Sequence, residues 1–219
     1  MAKIVFPKIS LNNIKGILID IDNTLYPYQL AHLKALDACY NVFSKEFPKF
    51  YSLETFSRQY TQKRKEVTKR LQPQGTCRSR LFAFQDLFEN IGISQAFNKA
   101  LKYEILYWNI FIESMKLSKN ALYFLYKCKN KKIPVCAVSD MQSSFQIRKL
   151  QKLGIDHLID YLVTSEEVGV EKPSSKIFYK ALTKLNLKVK DVIMIGDSEE
   201  KDIKGAKKIG MKAFQVLIK

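Results

Sequence analysis

Ile17-Leu18-Ile19-Asp20-Ile21-Asp22-Asn23-Thr24-Leu25 is an apolar run, rich in branched side chains, that carries two carboxylates with one residue between them. A run of this kind reads as a parallel strand buried on both faces. Acids at its carboxyl end make poor packing, because a buried carboxylate is costly unless it is paired or bound to a metal. They make good sense as a reactive site, since open α/β sheets bind ligands just beyond the carboxyl ends of their strands. Asp-x-Asp-x-Thr alone also describes an exposed acid pair at a strand end, so the rest of the chain must decide.

Working outward, the pattern from about Tyr26 to Ser114 is helical. Leu33, Leu36, Tyr40 and Phe43 fall mostly at helical spacing, and Phe47-Pro48 ends that segment. Further helical stretches run over 53–71, 80–90 and 95–111, punctuated by Gly75 and Ile91-Gly92-Ile93. Beyond residue 115 strand and helix alternate. Helices are expected over 120–131, 144–153, 175–185 and 203–209; strands over 133–138, 160–163, 191–195 and 213–217. Alternation of this kind implies an α/β fold with a Rossmann-like, doubly wound parallel sheet. The expected organisation is a core domain of residues 1–25 and 115–219, with an all-helical cap domain, 26–114, inserted after the first strand.

Composition bounds the function. The 219 residues are 47% hydrophobic and 12% aromatic, enough for a substantial core. No stretch approaches the roughly 18 apolar residues of a membrane span. Met1-Ala2-Lys3-Ile4-Val5-Phe6-Pro7-Lys8 breaks its apolar run with Pro and Lys and does not read as a signal peptide. Cys39, Cys77, Cys128 and Cys136 lack close pairing, so they read as reduced thiols of a cytoplasmic protein. The two histidines, His32 and His157, stand apart from any cysteine cluster, which argues against zinc. The net charge of +16 suits an anionic ligand. Its lysines are spread along the whole chain, which argues against a dedicated nucleic-acid reader. The basic run Arg58–Lys65 is either an anion patch or, more simply, the solvated face of a helix.

Each core strand runs into a polar signature: Asp20-Ile21-Asp22-Asn23-Thr24, then Ser139-Asp140, then Gly169-Val170-Glu171-Lys172-Pro173, then Gly196-Asp197-Ser198 with Asp202 beyond. This ordered set resembles the haloacid dehalogenase superfamily of phosphohydrolases, in the branch whose helical cap follows the first motif. The resemblance covers the chain from about Lys15 onward. It implies a nucleophilic Asp20 that forms an aspartyl-phosphate, and an Asp22 that protonates the leaving oxygen and then accepts a proton from water. It implies Mg²⁺ held by Asp20, the Asp22 backbone carbonyl and Asp197. Ser139, Asp140, Asn23 and Lys172 would bind phosphate; Thr24, Ser198 and Asp202 would support the site, with Asp202 orienting Lys172 or bracing the metal.

The dehalogenases of this superfamily lack an acid at the position of Asp22, because a departing halide needs no proton. Asp22 therefore points to phosphoryl transfer. The expected activity is Mg²⁺-dependent hydrolysis of a small phosphorylated metabolite, a nucleoside monophosphate or a sugar phosphate. A phosphomutase, a non-catalytic binding module and a nucleic-acid-directed phosphatase remain as alternatives. Tyr26 and Tyr28 line the cap hinge or pack structurally. Gln74, Thr76, Arg78 and Arg80 either reach the substrate's leaving group or form a water-exposed basic turn, and Glu199 and Glu200 read as solvated loop acids.

Overall fold

A computed structural model describes residues 3–50 and 52–219. These pack as two compact units. One comprises the chain up to Tyr28 together with Pro73–Gly75 and Met115–Lys219; the other comprises Gln29–Gln72 and Thr76–Ser114.

The first unit is built on strands β1 (Ile4–Val5), β2 (Gly16–Ile19), β3 (Val135–Ser139), β4 (Tyr161–Thr164), β5 (Val192–Gly196), β6 (Lys212–Gln215) and β7 (Leu217–Ile218). Five of them form a parallel sheet in the order β4-β3-β2-β5-β6. β2, β3 and β5 are buried along their whole length, as their near-continuous apolar sequences require. The chain winds outward from β2 through β3 to β4, then returns to lay β5 on the other side of β2. The winding direction thus reverses beside β2, and such a switch point opens a crevice at the carboxyl ends of its strands. Asp20 follows β2 directly.

The helices of the chain, in order, are α1 (Tyr28–Glu46), α2 (Leu53–Leu71), α3 (Arg80–Asn90), α4 (Ala96–Ser114), α5 (Lys119–Asn130), α6 (Ser143–Lys152), α7 (Ser165–Val168), α8 (Ser175–Leu185) and α9 (Lys204–Lys208). In the sheet-bearing unit, α8 is strongly amphipathic. Its Ile177, Phe178, Ala181, Leu182 and Leu185 share a buried cluster with Leu18, Val138, Val163 and Met194 of the sheet.

The helical unit holds nearly all of α1 and the whole of α2, α3 and α4. The α2 and α3 N-termini are capped by Ser52 and Ser79, whose hydroxyls accept the Thr55 and Phe82 N–H groups. The interior of this unit is aromatic. Ring centroids lie 4.7 Å apart for Tyr60–Phe84, 4.8 Å for Phe88–Tyr103 and 4.9 Å for Phe43–Phe56. Rings of this size bury much apolar area each and dominate the energetics of a small core.

The expected parallel α/β sheet with an inserted helical region is the architecture found. Three details differ from the sequence reading. β1 and β7 form a separate antiparallel pair, and two residues per strand are too few to leave a periodic signal. The last expected strand is split: Lys212–Gln215 joins the sheet, and Leu217–Ile218 turns away to β1. The expected helix over 203–209 is preceded by a π turn, Glu199–Ile203, so α9 proper begins at Lys204. Among the described residues, no helix is long and apolar enough to cross a membrane.

Candidate active site

Three strand ends and one loop of the sheet-bearing unit converge at the switch point. Asp20 leaves β2 with its N–H bonded to the Ile195 carbonyl of β5 at 2.9 Å, which locks the two strand ends together. Its carboxylate is buried and both oxygens are engaged. Oδ1 accepts from Lys172 Nζ at 2.6 Å, and Oδ2 accepts from the Thr24 hydroxyl at 3.2 Å. The turn beyond it is tight. Thr24 and Leu25 donate back to the Ile21 carbonyl, and Asn23 takes a left-handed conformation at φ 64°, which asparagine tolerates better than most residues. The Asn23 side chain accepts the Tyr28 N–H at 3.0 Å and also bonds to Asp197.

Lys172 is buried, and its ammonium is fully occupied. Besides Asp20 it donates to Asp202 Oδ1 at 2.7 Å and to the Val138 carbonyl at 3.0 Å. Burial works against its charge, but Asp20, Asp202 and Asp140 outweigh that and hold its pKa well above the ordinary lysine value. Asp202 reaches inward from the π turn. Its Oδ2 accepts the Ser198 N–H at 3.0 Å, and the Ser198 hydroxyl in turn accepts the Lys201 N–H at 3.2 Å. This approach requires glycine at 196, where a Cβ would stand 2.3 Å from Asp202 Oδ2.

Oxygens of Asp20, Asp197 and Asp202 lie within 4.8 Å of one another. Three carboxylates share one ammonium, so ionisation of all three leaves an excess of negative charge. The proton affinities record the strain. Burial, then the charges of Asp202 and Asp197, raise Asp20 well above the carboxylate range even with Lys172 beside it. Burial and Asp202 push Asp197 up to about 6. A hard, oxygen-seeking cation would relieve that excess, and the donor set fits one.

Asp22 lies apart from this cluster. Its carboxylate receives Lys149 Nζ at 2.7 and 3.0 Å on its two oxygens, Gln146 Nε2 at 3.2 Å, and the Tyr26 hydroxyl. Burial opposes its charge, but Lys149, then Tyr26 and Gln146, keep its pKa below the usual value. Ser139, at the end of β3, is buried with its hydroxyl accepting Gln146 Nε2 at 2.8 Å. Asp140 turns its carboxylate to the Lys172 N–H at 2.8 Å and to Lys201 Nζ at 2.8 Å, bracing the Lys172 loop. Both Asp140 carboxylate contacts are thus made to the Lys172 loop and Lys201.

The structure therefore brings Asp20, Thr24, Lys172, Asp197, Ser198 and Asp202 into one cluster, and Asp22 and Ser139 into an adjoining one joined through Gln146. The sequence reading did not single out Gln146, Lys149 or Lys201. The available signal was the register of α6, where Gln146 and Lys149 share the face that carries Leu150 and Leu153. Tyr26 is fully buried against Asp22. Glu199 and Glu200 are exposed, as read. Arg80 does not stand in a water-exposed turn: it is buried in the helical unit, 5.4 Å from the Tyr107 ring centroid and 5.5 Å from that of Trp108.

A family model described as haloacid dehalogenase-like hydrolase matches residues 14–210. A ribulose-1,5-bisphosphate 5-phosphatase from Halopiger xanaduensis is 30% identical over 200 residues, 90% of this chain and 82% of that protein. A glyceraldehyde 3-phosphate phosphatase from Methanopyrus kandleri is 29% identical over 204 residues, 93% of this chain and 84% of that protein. Among solved structures, a 2-haloacid dehalogenase from Pseudomonas syringae aligns with a TM-score of 0.71 at 18% identity, over 91% of this chain and 85% of its own. The magnesium-bound HAD-hydrolase YfnB from Bacillus subtilis aligns at 0.68 and 17%, over 91% and 87%. At these identities the two structures speak to the fold.

Proposed function

Because the chain belongs to the haloacid dehalogenase-like hydrolase family, we propose that it is a Mg²⁺-dependent phosphatase that hydrolyses a small sugar phosphate through a phosphoaspartate on Asp20. The observation that carries this reading is the Asp20–Asp197–Asp202 group at the sheet's switch point, two of its acids buried and Asp197 half-buried, with one lysine for three acids. Such a charge excess is costly as architecture and useful as chemistry.

Asp20 is the nucleophile. Thr24 and Lys172 fix its carboxylate from two sides, so attack on phosphorus starts from a set orientation. Mg²⁺ bound by Asp20, Asp197 and the Asp22 backbone carbonyl would screen the repulsion between this carboxylate and a phosphate dianion. Lys172, oriented by Asp202, offsets the phosphoryl charge through its field, and the Ser139 hydroxyl donates to a phosphoryl oxygen. Asp22, ionised at rest, takes the proton carried by an incoming phosphate monoanion and passes it to the departing alkoxide. It then takes a proton from the water that splits the phosphoaspartate and releases it to the product phosphate, so both acids return to their starting state. The requirement for a proton on the leaving oxygen separates this chemistry from halide release.

The named relatives favour the sugar-phosphate class over nucleoside monophosphates, since two phosphatases of phosphorylated sugars cover most of the chain. Phosphate release from ribulose bisphosphate, glyceraldehyde 3-phosphate, further sugar phosphates and nucleoside monophosphates, with Mg²⁺ and with EDTA, tests the reading. Sugar-phosphate turnover that requires metal is expected. Absence of release across the panel from folded, Mg²⁺-supplied protein would overturn it, and movement of the phosphoryl group within one sugar would mark a mutase instead.

A further inference from the structure

Gln146 and Lys149 lie one turn apart on α6 and are both completely buried. A lysine sealed inside a protein is expensive, and an apolar residue of similar volume generally packs as well or better. The Lys149 ammonium spans both oxygens of Asp22 and also lies 5.9 Å from the Tyr26 ring centroid. Gln146 is equally committed. Its Nε2 donates to Asp22 Oδ2 and to Ser139 Oγ, while its buried Oε1 meets no partner among the described residues. A side chain that leaves one of its own polar atoms unsatisfied serves its neighbours rather than its own helix.

We propose that Gln146 and Lys149 are positioning residues that hold the Asp22 carboxylate and the Ser139 hydroxyl as one unit. The inference rests on Asp22 acting as the acid that protonates the leaving oxygen. Asp22 follows β2 and Ser139 ends β3, so the Gln146 amide ties neighbouring strand ends together. It thereby fixes the distance between the group that meets the leaving oxygen and the group that meets a phosphoryl oxygen. Lys149 fixes the plane of the carboxylate, because contact with both oxygens opposes its rotation. Displacements of about 1 Å in such groups can cost on the order of a hundredfold in rate.

The test compares kcat/KM on a sugar phosphate, whose alkoxide must be protonated, with that on p-nitrophenyl phosphate, whose phenolate leaves without a proton. Lys149→Met is expected to lose about 10- to 100-fold on the sugar phosphate and less than about threefold on the aryl ester. Gln146→Leu also loosens Ser139, so it should lower both values, the sugar phosphate more. Lys149→Arg, which can still reach both oxygens, should recover most of the loss and keeps the test open where Lys149→Met does not fold. Equal losses on the two esters, or none, would overturn the proposal. Asp22→Asn separates the two levels. If it shows the leaving-group pattern while the α6 variants do not, only the positioning role fails; if it too loses both esters equally, the acid role of Asp22 fails and the positioning role with it.

Discussion

The two compact units bury polar groups in opposite ways. In the sheet-bearing unit, buried ions meet other ions from distant parts of the chain: Lys172 meets Asp20 and Asp202, and Lys149 meets Asp22. In the helical unit, the buried cation of Arg80 lies against the Tyr107 and Trp108 rings, and His32 shares a hydrogen bond of 2.7 Å with the Tyr107 hydroxyl. The first arrangement leaves negative charge in excess and is poised for a ligand; the second sets polar groups against aromatic faces. Under the proposed function, chemistry falls to the first unit, while the aromatic core of the second serves stability.

The largest expected effect strikes the first unit. Asp20→Asn should lower turnover by at least about 10⁴-fold. Its thermal stability without metal should hold or rise, because one of the crowded negative charges is gone; turnover and melting curves on the same preparation check both. Phe84→Ala should do the reverse in the helical unit, costing about 3–5 kcal/mol of stability by emptying a site among Tyr60, Phe88 and Tyr103. Denaturant unfolding would show it, and a loss under about 1 kcal/mol would break the contrast.

Mg²⁺ should sharpen the contrast. Binding at the acid cluster should stabilise the protein by about 2.7 kcal/mol at a hundredfold excess over Kd, and EDTA should reverse it. Asp197→Asn should abolish that shift, whereas Phe84→Ala should leave it in place.

The smallest effect is a pH dependence in the helical unit. Burial, then the charges of Arg64 and Arg80, lower the His32 pKa from 6.5 to about 3. Between those values the unfolded chain binds the proton and the folded chain does not. Stability from this group is therefore present above pH 6.5 and is lost as pH falls toward 3, with a slope of up to about 1.4 kcal/mol per pH unit. Melting curves of wild type and His32→Gln from pH 7 to 5 should diverge by that slope, and parallel curves would contradict it.

Which parts were legible in the sequence follows from the same physics. Asp20, Ser139 and Asp197 each stand just past an apolar run or its terminal glycine, so a strand reading sends them to one rim of a parallel sheet. Lys172 and Asp202 were reachable through the order of motifs, since nothing local separates Lys172 from the many other lysines. Gln146 and Lys149 were hidden because polar residues on a helix ordinarily face water. Their burial is decided by Asp22, 127 positions from Lys149. The burial of Arg80 was hidden likewise, because its cover comes from rings on the next helix of the chain. The π turn left no periodic trace; its effect is to carry Asp202 to Lys172 and the Ser198 N–H.

The most direct measurement of the central claim is an acid-quenched reaction with a sugar phosphate and Mg²⁺, followed by mass analysis of the peptide that contains Asp20. A hydroxylamine-labile phosphoryl group on Asp20 is expected, present during turnover and absent from Asp20→Asn. Undiminished turnover in Asp20→Asn, with no phosphorylated peptide in the wild type, would contradict it.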